Sequence, residues 1–462
     1  MRDRRDPMGG IIEQGGPVLV AGLGRSGMAA ANLLVRHGCR VEVSERAARD
    51  NFTLDLSGLD PAVTVHWGGH PENLFGRFPL VVVSPGVPGD LAALEHASGK
   101  GALVIGEMEL AYRLTTEPWV AVTGSNGKST TVTLIDLMAK EAGLRVATGG
   151  NLGTPVTSFV GQTGVYAFIV AEVSSFQLET VDTFHPAIGA LLNLSPDHLD
   201  RHPGLTEYVE AKARLFANMG AGDWAVLNAD DSRVLEETGK IAAGRFPFSR
   251  TRLLDEGGFV RQGRLVIRDE GKEHGIMKSR NILIPGHHNL ENALAASAIA
   301  WKMGVPVTAM EKALRAFAGL EHRMELVGYF RGVPVYNDSK GTNVGATVRS
   351  LEGLGGRVVL ILGGKDKGTS YEPLVEPVRR KVSHLILLGE AADRMEEALK
   401  GAAPITRVDT VEDSMRIAVQ HARPGSEVLF SPACSSFDMF SSYEERGLVF
   451  KEAARKYMGM GV

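Results

Sequence analysis

One short segment restricts the fold of this 462-residue chain more than any other feature. The apolar run Trp119–Val122 predicts a strand, residues 123–130 read Thr-Gly-Ser-Asn-Gly-Lys-Ser-Thr, and a helical pattern follows. Glycines let backbone N–H groups turn toward an anion, and a helix N-terminus adds partial positive charge. The segment therefore predicts a strand, a loop and a helix that together bind phosphate groups.

The side chains of this loop indicate which phosphate compound it binds. Lys128 supplies a positive charge for the outer phosphates, and the hydroxyl of Ser129 is a suitable ligand for Mg²⁺. The usual spacing, G-x-x-x-x-G-K-[ST], would need glycine where this chain has Val122, so the loop is shorter than usual. A glycine-rich turn without a ligand is the alternative, but Lys-Ser-Thr in register favours ATP.

Length and composition narrow the class of protein. The chain is too long for one core, and three domains are expected. Its hydrophobic content of 44% and charged content of 23% are typical of a soluble globular protein. A net charge of −4 gives no reason to expect nucleic acid as a partner. No apolar run approaches a membrane span, and the two cysteines are not a disulfide framework. We expect a cytoplasmic protein without membrane insertion.

Strands alternate with helical patterns, which predicts parallel, doubly wound sheets. We predict an α/β fold with three domains, each with a mainly parallel sheet: a Rossmann-like N-terminal domain, a phosphate-loop central domain and a Rossmann-like C-terminal domain. The predicted bounds are residues 1–16 for a disordered extension without a signal-peptide core, and 17–116, 117–320 and 321–462 for the domains. A polar stretch near residues 250–285 predicts short antiparallel strands inside the central domain.

Polar residues follow two predicted strands of the central domain. Glu172 and Ser174 come after residues 165–171, and Asn193 and His198 come after residues 187–192. Ligands of open parallel sheets bind beyond the carboxyl ends of the strands. Either a carboxylate or an imidazole alone is more often an ordinary loop residue, but together beside the phosphate loop they favour a Mg²⁺ site for hydrolysis or group transfer.

Lys212 stands in the middle of an apolar stripe on the predicted helix 205–219. A lysine in that position must extend to solvent, form an ion pair or lose its charge. On helix geometry alone, extension to solvent is the favoured interpretation.

The turn Gly22-x-Gly24-x-x-Gly27 after the first strand is a dinucleotide fingerprint. Taken alone it would suggest NAD, with Glu42 or Glu45 on the ribose. The fingerprint is weak, because any nucleotide diphosphate meets the same backbone amides. It predicts diphosphate binding and leaves the nucleotide open.

Three polar loops follow strands of the C-terminal domain, at residues 337–343, 363–368 and 431–438. Two carry lysine and the third is rich in hydroxyl groups, which suits a small dianionic substrate. An ordinary solvated loop is the alternative for each. Cys434 has no basic neighbour in sequence, so we interpret it as structural.

These segments together resemble the Mur ligases over essentially the whole chain after residue 16. The most specific matching segments are residues 123–130, 172–177 (Glu-Val-Ser-Ser-Phe-Gln), 193–200 (Asn-Leu-Ser-Pro-Asp-His-Leu-Asp), 337–343 (Asn-Asp-Ser-Lys-Gly-Thr-Asn) and 431–435 (Ser-Pro-Ala-Cys-Ser). Within the family, the last two are similar to those of ligases that add D-glutamate. The resemblance implies an ATP-dependent amide-bond ligase that adds D-glutamate to UDP-N-acetylmuramoyl-L-alanine through an acyl phosphate, in the cytoplasmic stage of peptidoglycan synthesis.

The resemblance also implies which residues form each part of the site. For ATP they are Gly124, Ser125, Asn126, Gly127, Lys128, Ser129, Thr130, Asn289, Asn292, Arg323 and Asp338. For the UDP substrate, in place of NAD, they are Gly24, Arg25, Ser26, Arg46, Ser84, Gly86, Asn151 and Ser174. For D-glutamate they are Thr342, Lys367, Ser436 and Tyr443. For two Mg²⁺ ions they are Ser129, Glu172, His198 and Lys212, and the catalytic residues are Lys128, His198, Lys212 and Lys340.

On this resemblance Lys212 is expected to be a carbamate formed with CO₂, which reverses the preference for extension to solvent. Glu45 stands where a small hydroxyl residue is expected in the uracil pocket. The expected partners are these small-molecule substrates alone, and the expected state is a monomer. Two alternatives stay open: a related ligase, such as a folylpolyglutamate synthase or a Mur ligase for another amino acid, and an NAD-dependent oxidoreductase.

Overall fold

The computed structural model describes residues 7–151, 153–161, 164–195, 202, 204–284, 286–366 and 368–459. They form the three-domain α/β fold that the sequence predicts, with a mainly parallel sheet in each domain. Residues up to 279 and 291–314 form one compact unit, which holds the N-terminal and central sheets. Residues 280–290 and those from 315 onward form a second unit, which holds the C-terminal sheet. Among the described residues, no helix is long and apolar enough to cross a membrane.

The N-terminal domain has a five-stranded parallel sheet in the order β3-β2-β1-β4-β5. Its elements are α1 Pro7–Glu13, β1 Pro17–Ala21, α2 Arg25–Arg36, β2 Arg40–Glu45, β3 Thr64–Trp67, α3 Glu72–Phe75, β4 Leu80–Val83, α4 Ala92–Gly99, β5 Leu103–Gly106 and α5 Glu107–Arg113. Strand β1 pairs with β2 on one side and β4 on the other. The turn after β1 therefore lies where the strand order reverses, the usual place for a ligand.

Part of the predicted disordered extension is wrong. Residues 7–13 form helix α1, and Met8 and Ile12 are buried in the core that the N-terminal and central domains share. Because Met8 and Ile12 are four residues apart, they lie on one face of the helix. The charged residues and glycines around them hide this short apolar pattern in the sequence. The domain boundaries themselves stay a prediction.

The central domain has a six-stranded parallel sheet in the order β11-β10-β9-β6-β8-β7 and a small sheet in the order β12-β13-β14-β15. Its elements are β6 Trp119–Thr123, α6 Lys128–Glu141, β7 Val146–Gly150, β8 Phe168–Glu172, α7 Ser175–Glu179, β9 Ile188–Leu191, α8 Leu205–Ala213, β10 Trp224–Leu227, α9 Ser232–Glu237, β11 Gly244–Arg245, β12 Phe248–Ser249, β13 Gly257–Arg261, β14 Arg264–Asp269, β15 Lys272–Lys278, α10 His287–Lys302 and α11 Val307–Ala316. Antiparallel pairing of β13, β14 and β15 confirms the prediction for residues 250–285.

The register of the central sheet places the candidate site. Strand β6 lies between β8 and β9, with Val122 opposite Glu172 and Thr123 opposite Leu191. The carboxyl ends of these three strands therefore lie side by side. The phosphate loop follows the middle strand, and the predicted metal-binding segments follow its two neighbours.

The C-terminal domain has a six-stranded sheet in the order β16-β17-β21-β18-β19-β20, and among its described strands only β16 is antiparallel to its neighbour. Its elements are β16 Glu325–Phe330, β17 Val333–Asn337, α12 Val344–Gly353, β18 Arg357–Gly363, α13 Val375–Lys381, β19 Val382–Leu388, α14 Ala392–Leu399, β20 Ile405–Arg407, α15 Val411–His421, β21 Ser426–Phe430 and α16 Tyr443–Gly459. Strands β17, β21 and β18 are neighbours, so the three polar loops predicted from the sequence leave the same edge of the sheet.

Candidate active site

The phosphate loop has the conformation that anion binding needs. Gly124 and Gly127 have φ angles of 147° and 86°, which residues with a side chain rarely adopt. Gly127 is the N-cap of α6, and a Cβ atom there would lie 2.2 Å from Oδ1 of Asn292. Only glycine fits this position, and its conformation lets the amides at the start of α6 face an anion.

The segment after β9 holds the phosphate loop in place. The amide of Asn126 donates to Oδ1 of Asn193 at 2.8 Å, and Nδ2 of Asn193 donates to the carbonyl of Asn126 at 3.0 Å. The amide of Ser195 donates to the hydroxyl of Ser125 at 2.9 Å. These contacts fix the backbone of the loop, so its amides are preorganised for a ligand.

Lys128 lies over the loop that it belongs to. Its Nζ donates to the carbonyls of Gly124 at 2.8 Å and Ser125 at 3.0 Å. Ser129 is buried one residue later, in the first turn of α6. A cation and a hydroxyl at a helix N-terminus suit the β- and γ-phosphates and the metal ion of a nucleotide triphosphate.

Glu172 has the environment of a metal ligand. Its Oε1 accepts from Nδ2 of Asn151 at 2.9 Å, whereas Oε2 is buried and has no hydrogen-bond partner. A buried carboxylate oxygen is costly unless a donor or a cation meets it. Hard oxygen donors are the ligands that Mg²⁺ prefers, so Glu172 together with the hydroxyl of Ser129 fits this ion.

Lys212 is buried, with an exposed fraction of 2%. Its Nζ lies 3.4 Å from Oγ1 of Thr123 and 4.6 Å from the centre of the Tyr208 ring. The interpretation that this lysine extends to solvent is therefore wrong, because helix α8 packs its face against the end of β6. The side chain instead reaches the residue that begins the phosphate loop.

Tyr208 was missed by the sequence analysis and connects these groups. Its hydroxyl lies 2.9 Å from Oγ of Ser125, and its ring lies beside the ammonium of Lys212. The side chain is 1% exposed. An aromatic hydroxyl one helical turn before Lys212 was the available signal, but its partner is 83 residues away in sequence.

His198, expected beside the metal, lies outside the described residues. Among the residues that are described, no three His, Cys, Asp or Glu side chains cluster as a metal site would require. The expected set of Ser129, Glu172, His198 and Lys212 contains only two residues of these types, so such a cluster is not a necessary feature of it.

The predicted UDP site surrounds the turn after β1. Gly24 is the N-cap of α2, which places Arg25 and Ser26 in the first turn of that helix. The hydroxyl of Ser84 donates to the carbonyl of Gly22 at 2.9 Å, which ties the end of β4 to the turn. A Cβ on Gly27 would lie 1.9 Å from the same carbonyl. The turn is therefore tight and its geometry requires glycine.

The remaining UDP candidates lie at neighbouring edges of the same unit. Arg46 and Gly86 are exposed, next to the ends of β2 and β4. Ser174 caps α7 in a capping box with Gln177. Asn151 contacts Glu172, so it links this group to the candidate metal site.

Glu45 has a clear structural role at this turn. Its carboxylate accepts from the amides of Leu23 at 2.7 Å and Ala47 at 2.9 Å. Glu42, the other acidic candidate for a ribose, instead contacts Nε2 of His66 at 2.6 Å. Both carboxylates are therefore engaged by the protein.

The second unit contains the other predicted residues. Asp338 is buried and accepts from the hydroxyls of Ser350 and Ser431, each at 2.7 Å. Burial raises the pKa of this carboxyl above its usual value. Asn289 and Arg323, predicted for the nucleotide with Asp338, belong to the same unit. Asn292 belongs to the first unit, where it meets Gly127.

The loops predicted to bind the amino acid lie together at one sheet edge. Lys340 has its Nζ 5.3 Å from the ring centre of Tyr443, and its carbonyl accepts from the amide of Thr342 at 2.8 Å. Ser436 is buried at the end of the loop after β21. Lys367 lies outside the described residues, so its predicted contact is not tested.

Arg446, on α16, is a second residue that the sequence analysis missed. It is 1% exposed and binds the carbonyls of Ser339, Cys434 and Ser435. The available signal was a charged residue on the same helix face as the buried Phe450, four positions later. The same kind of pattern, a charge within an apolar stripe, singled out Lys212.

Comparisons with known proteins agree with these features. Residues 16–106 match the Mur ligase MurD-like N-terminal domain, residues 122–300 the Mur ligase middle domain, and residues 322–434 the Mur ligase glutamate ligase domain. The UDP-N-acetylmuramoylalanine–D-glutamate ligase of Syntrophotalea carbinolica is 45% identical over 96% of this chain and 98% of its own length. Its namesake in Geotalea uraniireducens is 44% identical over 95% and 97%.

Solved structures show the same fold at lower identity. The MurF ligase of Thermotoga maritima in complex with ADP has a TM-score of 0.61 at 15% identity, over 96% of this chain and 95% of its own. A pseudomurein peptide ligase type C from Methanothermus fervidus has a TM-score of 0.59 at 17% identity, over 95% and 99%. With three domain matches and relatives of this identity over nearly its whole length, the chain belongs to the Mur ligase family, among the UDP-N-acetylmuramoylalanine–D-glutamate ligases.

Proposed function

We propose that this enzyme forms an amide bond between UDP-N-acetylmuramoyl-L-alanine and D-glutamate at the expense of ATP, in the cytoplasm. The observation that carries the proposal is the phosphate loop, with Lys128 over its backbone, next to the buried, unpartnered oxygen of Glu172. The near full-length similarity to D-glutamate ligases supports the choice of substrates. The two alternatives, a related ligase and an NAD-dependent oxidoreductase, are not favoured.

The reaction needs activation because a carboxylate is a poor electrophile. The terminal carboxylate of the acceptor attacks the γ-phosphorus of ATP, ADP leaves, and an acyl phosphate forms. Lys128 and the amides of the phosphate loop stabilise the charge on the transferred group. The neutral amine of D-glutamate then attacks the acyl carbon, and phosphate leaves as the amide forms.

Ser129, Glu172, His198 and Lys212 are the proposed residues for two Mg²⁺ ions. When bound, the metal supplies Lewis-acid stabilisation of the phosphoryl oxygens. The ammonium of Lys212 would repel such an ion, and its burial disfavours the charged form. The ammonium first loses a proton, and addition of CO₂ to the neutral amine then gives a carbamate and releases a second proton, so the charge of the side chain changes from +1 to −1 overall. We therefore propose the carbamate as the active form of this residue.

The amino acid is assigned to the C-terminal domain. Thr342 and Lys367 would bind the α-carboxylate, Ser436 and the backbone at Tyr443 would bind the side-chain carboxylate, and Lys340 would be a catalytic residue. Gly24, Arg25, Ser26 and Arg46 would bind the UDP part of the acceptor, with Ser84, Gly86, Asn151 and Ser174 completing its site. A monomer is sufficient for this scheme.

Phosphate release from ATP in the presence of UDP-N-acetylmuramoyl-L-alanine tests the proposal. We expect release with D-glutamate and little with L-glutamate, D-aspartate or L-lysine. Release that depends on another amino acid would assign the chain to a different ligase. Binding of NADH without any ATP turnover would instead favour the oxidoreductase.

A further inference from the structure

The second unit contains a buried cation that, in the described part of the chain, forms no hydrogen bond with a carboxylate. Arg446 is 1% exposed, and within the described ranges its guanidinium hydrogen-bonds only to hydroxyl and carbonyl groups, whereas the carboxylates of Asp438 and Asp338 act on it through longer-range electrostatic attraction. Burial lowers its pKa to about 10, so it is charged at neutral pH. A buried charge is costly and persists only where many dipoles stabilise it. For Arg446, these dipoles are the hydroxyl and carbonyl groups of two neighbouring loops.

Arg446 joins the loops after β17 and β21. Its Nε donates to Oγ of Ser339 at 3.0 Å and its Nη2 to the carbonyl of Ser339 at 2.8 Å. Nη1 donates to the carbonyls of Cys434 at 3.1 Å and Ser435 at 3.0 Å. These two loops carry the candidate amino-acid ligands, but Arg446 itself is fully occupied by the protein.

These bonds set the direction of neighbouring N–H groups. In a planar trans peptide the N–H points opposite to the C=O, and the described residues contain no cis peptide. The carbonyl of Ser435 is held by Arg446 and by the amide of Lys365 at 2.9 Å. The N–H of Ser436 therefore points away from the guanidinium, and it donates to no residue within the described ranges.

The opposite directions of C=O and N–H also apply to the loop after β17, where the N–H of the peptide unit has an observed acceptor. The carbonyl of Ser339 accepts from Arg446, and the N–H of the same peptide unit, on Lys340, donates to the carbonyl of His322 at 3.0 Å. The hydroxyl of Ser339 also donates to the carbonyl of Tyr443 at 2.8 Å. Arg446 thus fixes the backbone at three candidate residues, Ser436, Lys340 and Tyr443.

The guanidinium is also enclosed closely by the loop after β18. A Cβ on Gly364 would lie 2.3 Å from the carbonyl of Ser435 and 2.9 Å from Nη1 of Arg446. Gly364 has a φ angle of 136°, so both its conformation and its surroundings require glycine. All three polar loops of the sheet edge therefore meet around this one side chain.

We propose that Arg446 is a positioning residue for the amino-acid substrate, which directs the Ser436 donor toward the side-chain carboxylate and supplies a buried positive charge to that site. The inference rests on the proposed function and adds the determinant that distinguishes a dianionic amino acid from one with a neutral side chain. Arg446 acts through the loops and does not touch the substrate.

The test compares Arg446→Met, Arg446→Lys and Arg455→Met in phosphate release. Arg455 is exposed on the same helix and controls for the loss of a cation. We expect Arg446→Met to raise the KM for D-glutamate more than tenfold, while the KM values for ATP and the acceptor change less than twofold. Arg446→Lys keeps the charge but fewer hydrogen bonds, so its KM should lie between those of Arg446→Met and the unmodified enzyme. Arg455→Met should match the unmodified enzyme.

A second measurement separates positioning from general loss of structure. The ratio of kcat/KM for D-glutamate to that for D-glutamine should fall at least fivefold in Arg446→Met. An unchanged ratio, or KM values that rise equally for all three substrates, would overturn the proposal. If Arg446→Met does not fold, Ser339→Ala removes one acceptor of the same guanidinium and should raise the D-glutamate KM alone. If the unmodified enzyme releases no phosphate in response to D-glutamate, the proposed function is refuted instead.

Discussion

Lys128 and Lys212, both near the phosphate loop, have different proposed roles because their surroundings differ. The ammonium of Lys128 donates to two carbonyls of the loop, and a bound phosphate can replace these carbonyls as its hydrogen-bond acceptor. Lys212 is buried between Thr123 and the ring of Tyr208. A part-buried ammonium beside the loop can act as a point charge for phosphate, whereas a fully buried amine more readily loses its proton, as modification requires.

Lys128→Ala should abolish turnover and leave acceptor binding nearly unchanged. The loss of a positioned charge on the transferred phosphoryl group should lower kcat on the order of 10²-fold or more. Phosphate release and a separate binding titration with the acceptor measure the two effects. Lys140→Ala, on the exposed face of the same helix, is the matched control. A folded Lys128→Ala enzyme with near-normal turnover would contradict the assignment.

Lys212→Ala should be nearly inactive, and a short carboxylic acid in solution should restore part of the activity. The acid would occupy the vacated volume and offer oxygen ligands in place of the carbamate. Lys212→Arg should not be rescued, because its guanidinium fills the space and keeps its charge. A fully active Lys212→Ala enzyme, or electron density for an unmodified lysine in an active crystal, would refute the carbamate.

At the scale of elements, apolar runs and the residues after them predicted much of the fold. Strands β1, β4, β6 and β18 are buried except for the first residue of β1 and of β18, and their apolar runs end in or are followed by glycine or polar residues, so they were readily identified. Strands β3, β5, β7, β16 and β20 are among those not predicted. Strands β3 and β7 are only partly buried, and β7 contains two glycines. Helix α8 ends at Ala213, six residues earlier than predicted, where the chain tightens into a 3₁₀ turn.

The site was predictable where strand register brings its parts together. Glu172 and the phosphate loop follow adjacent parallel strands, and polar residues at such ends converge. Tyr208 and Arg446 were not predictable in this way. Their partners, Ser125 and Ser339, are 83 and 107 residues away, and no local pattern specifies such hydrogen bonds.

Gly127→Ala should inactivate the enzyme through the geometry of the phosphate loop. The new Cβ would meet Oδ1 of Asn292 at 2.2 Å in addition to the strain of its positive φ. Gly143→Ala is the matched control, because this glycine follows the same helix with a φ of 75° and has open space around its Cβ position. Both variants should lose about 1–2 kcal/mol of stability from strain, but only Gly127→Ala should lose ATP turnover. Equal turnover in the two variants would contradict a role for the loop.

Lys367→Ala should raise the KM for D-glutamate far more than that for ATP or the acceptor. One charge-assisted contact to a carboxylate contributes roughly 1.5–3 kcal/mol, which corresponds to about a 10- to 150-fold change in KM. The exposed Lys365 lies two residues earlier on the same loop, so Lys365→Ala is the control. A larger rise in the KM for ATP would place Lys367 in the nucleotide site.

At the scale of the molecule, a buried carboxylate of α5 joins the N-terminal and central domains. Glu109 accepts from Arg113 at 2.7 Å and from the amides of Asp182, Thr183 and Phe184 at 2.9–3.1 Å. Burial opposes ionisation of Glu109, but these hydrogen bonds outweigh it and lower its pKa. These hydrogen bonds connect α5 to residues 182–184 of the central domain. The two domains belong to one compact unit.

The stability of the second unit depends on pH, because three of its histidines, the half-buried His288 and the buried His322 and His384, have lowered pKa values. Burial, with the positive charges of Arg349 and Arg323 nearby, lowers the pKa of His288 from its usual 6.5 to about 4. Burial also lowers the pKa values of His322 and His384. Folding therefore favours the neutral forms, and the unfolded chain binds more protons below pH 6.5. Stability is fully present above that pH and falls as pH drops toward 4.

His288→Gln should make the protein less sensitive to acid. Between pH 7.5 and pH 5, protonation of His288 in the unfolded chain alone should lower the free energy of unfolding by about 2 kcal/mol, because this histidine stays neutral in the folded state. Denaturant unfolding at the two pH values measures the loss, and hydrogen exchange locates it in the second unit. His37→Gln, at an exposed position of the N-terminal domain, should behave like the unmodified protein. If His288→Gln loses as much stability on acidification as His37→Gln does, His288 is not neutral in the folded state.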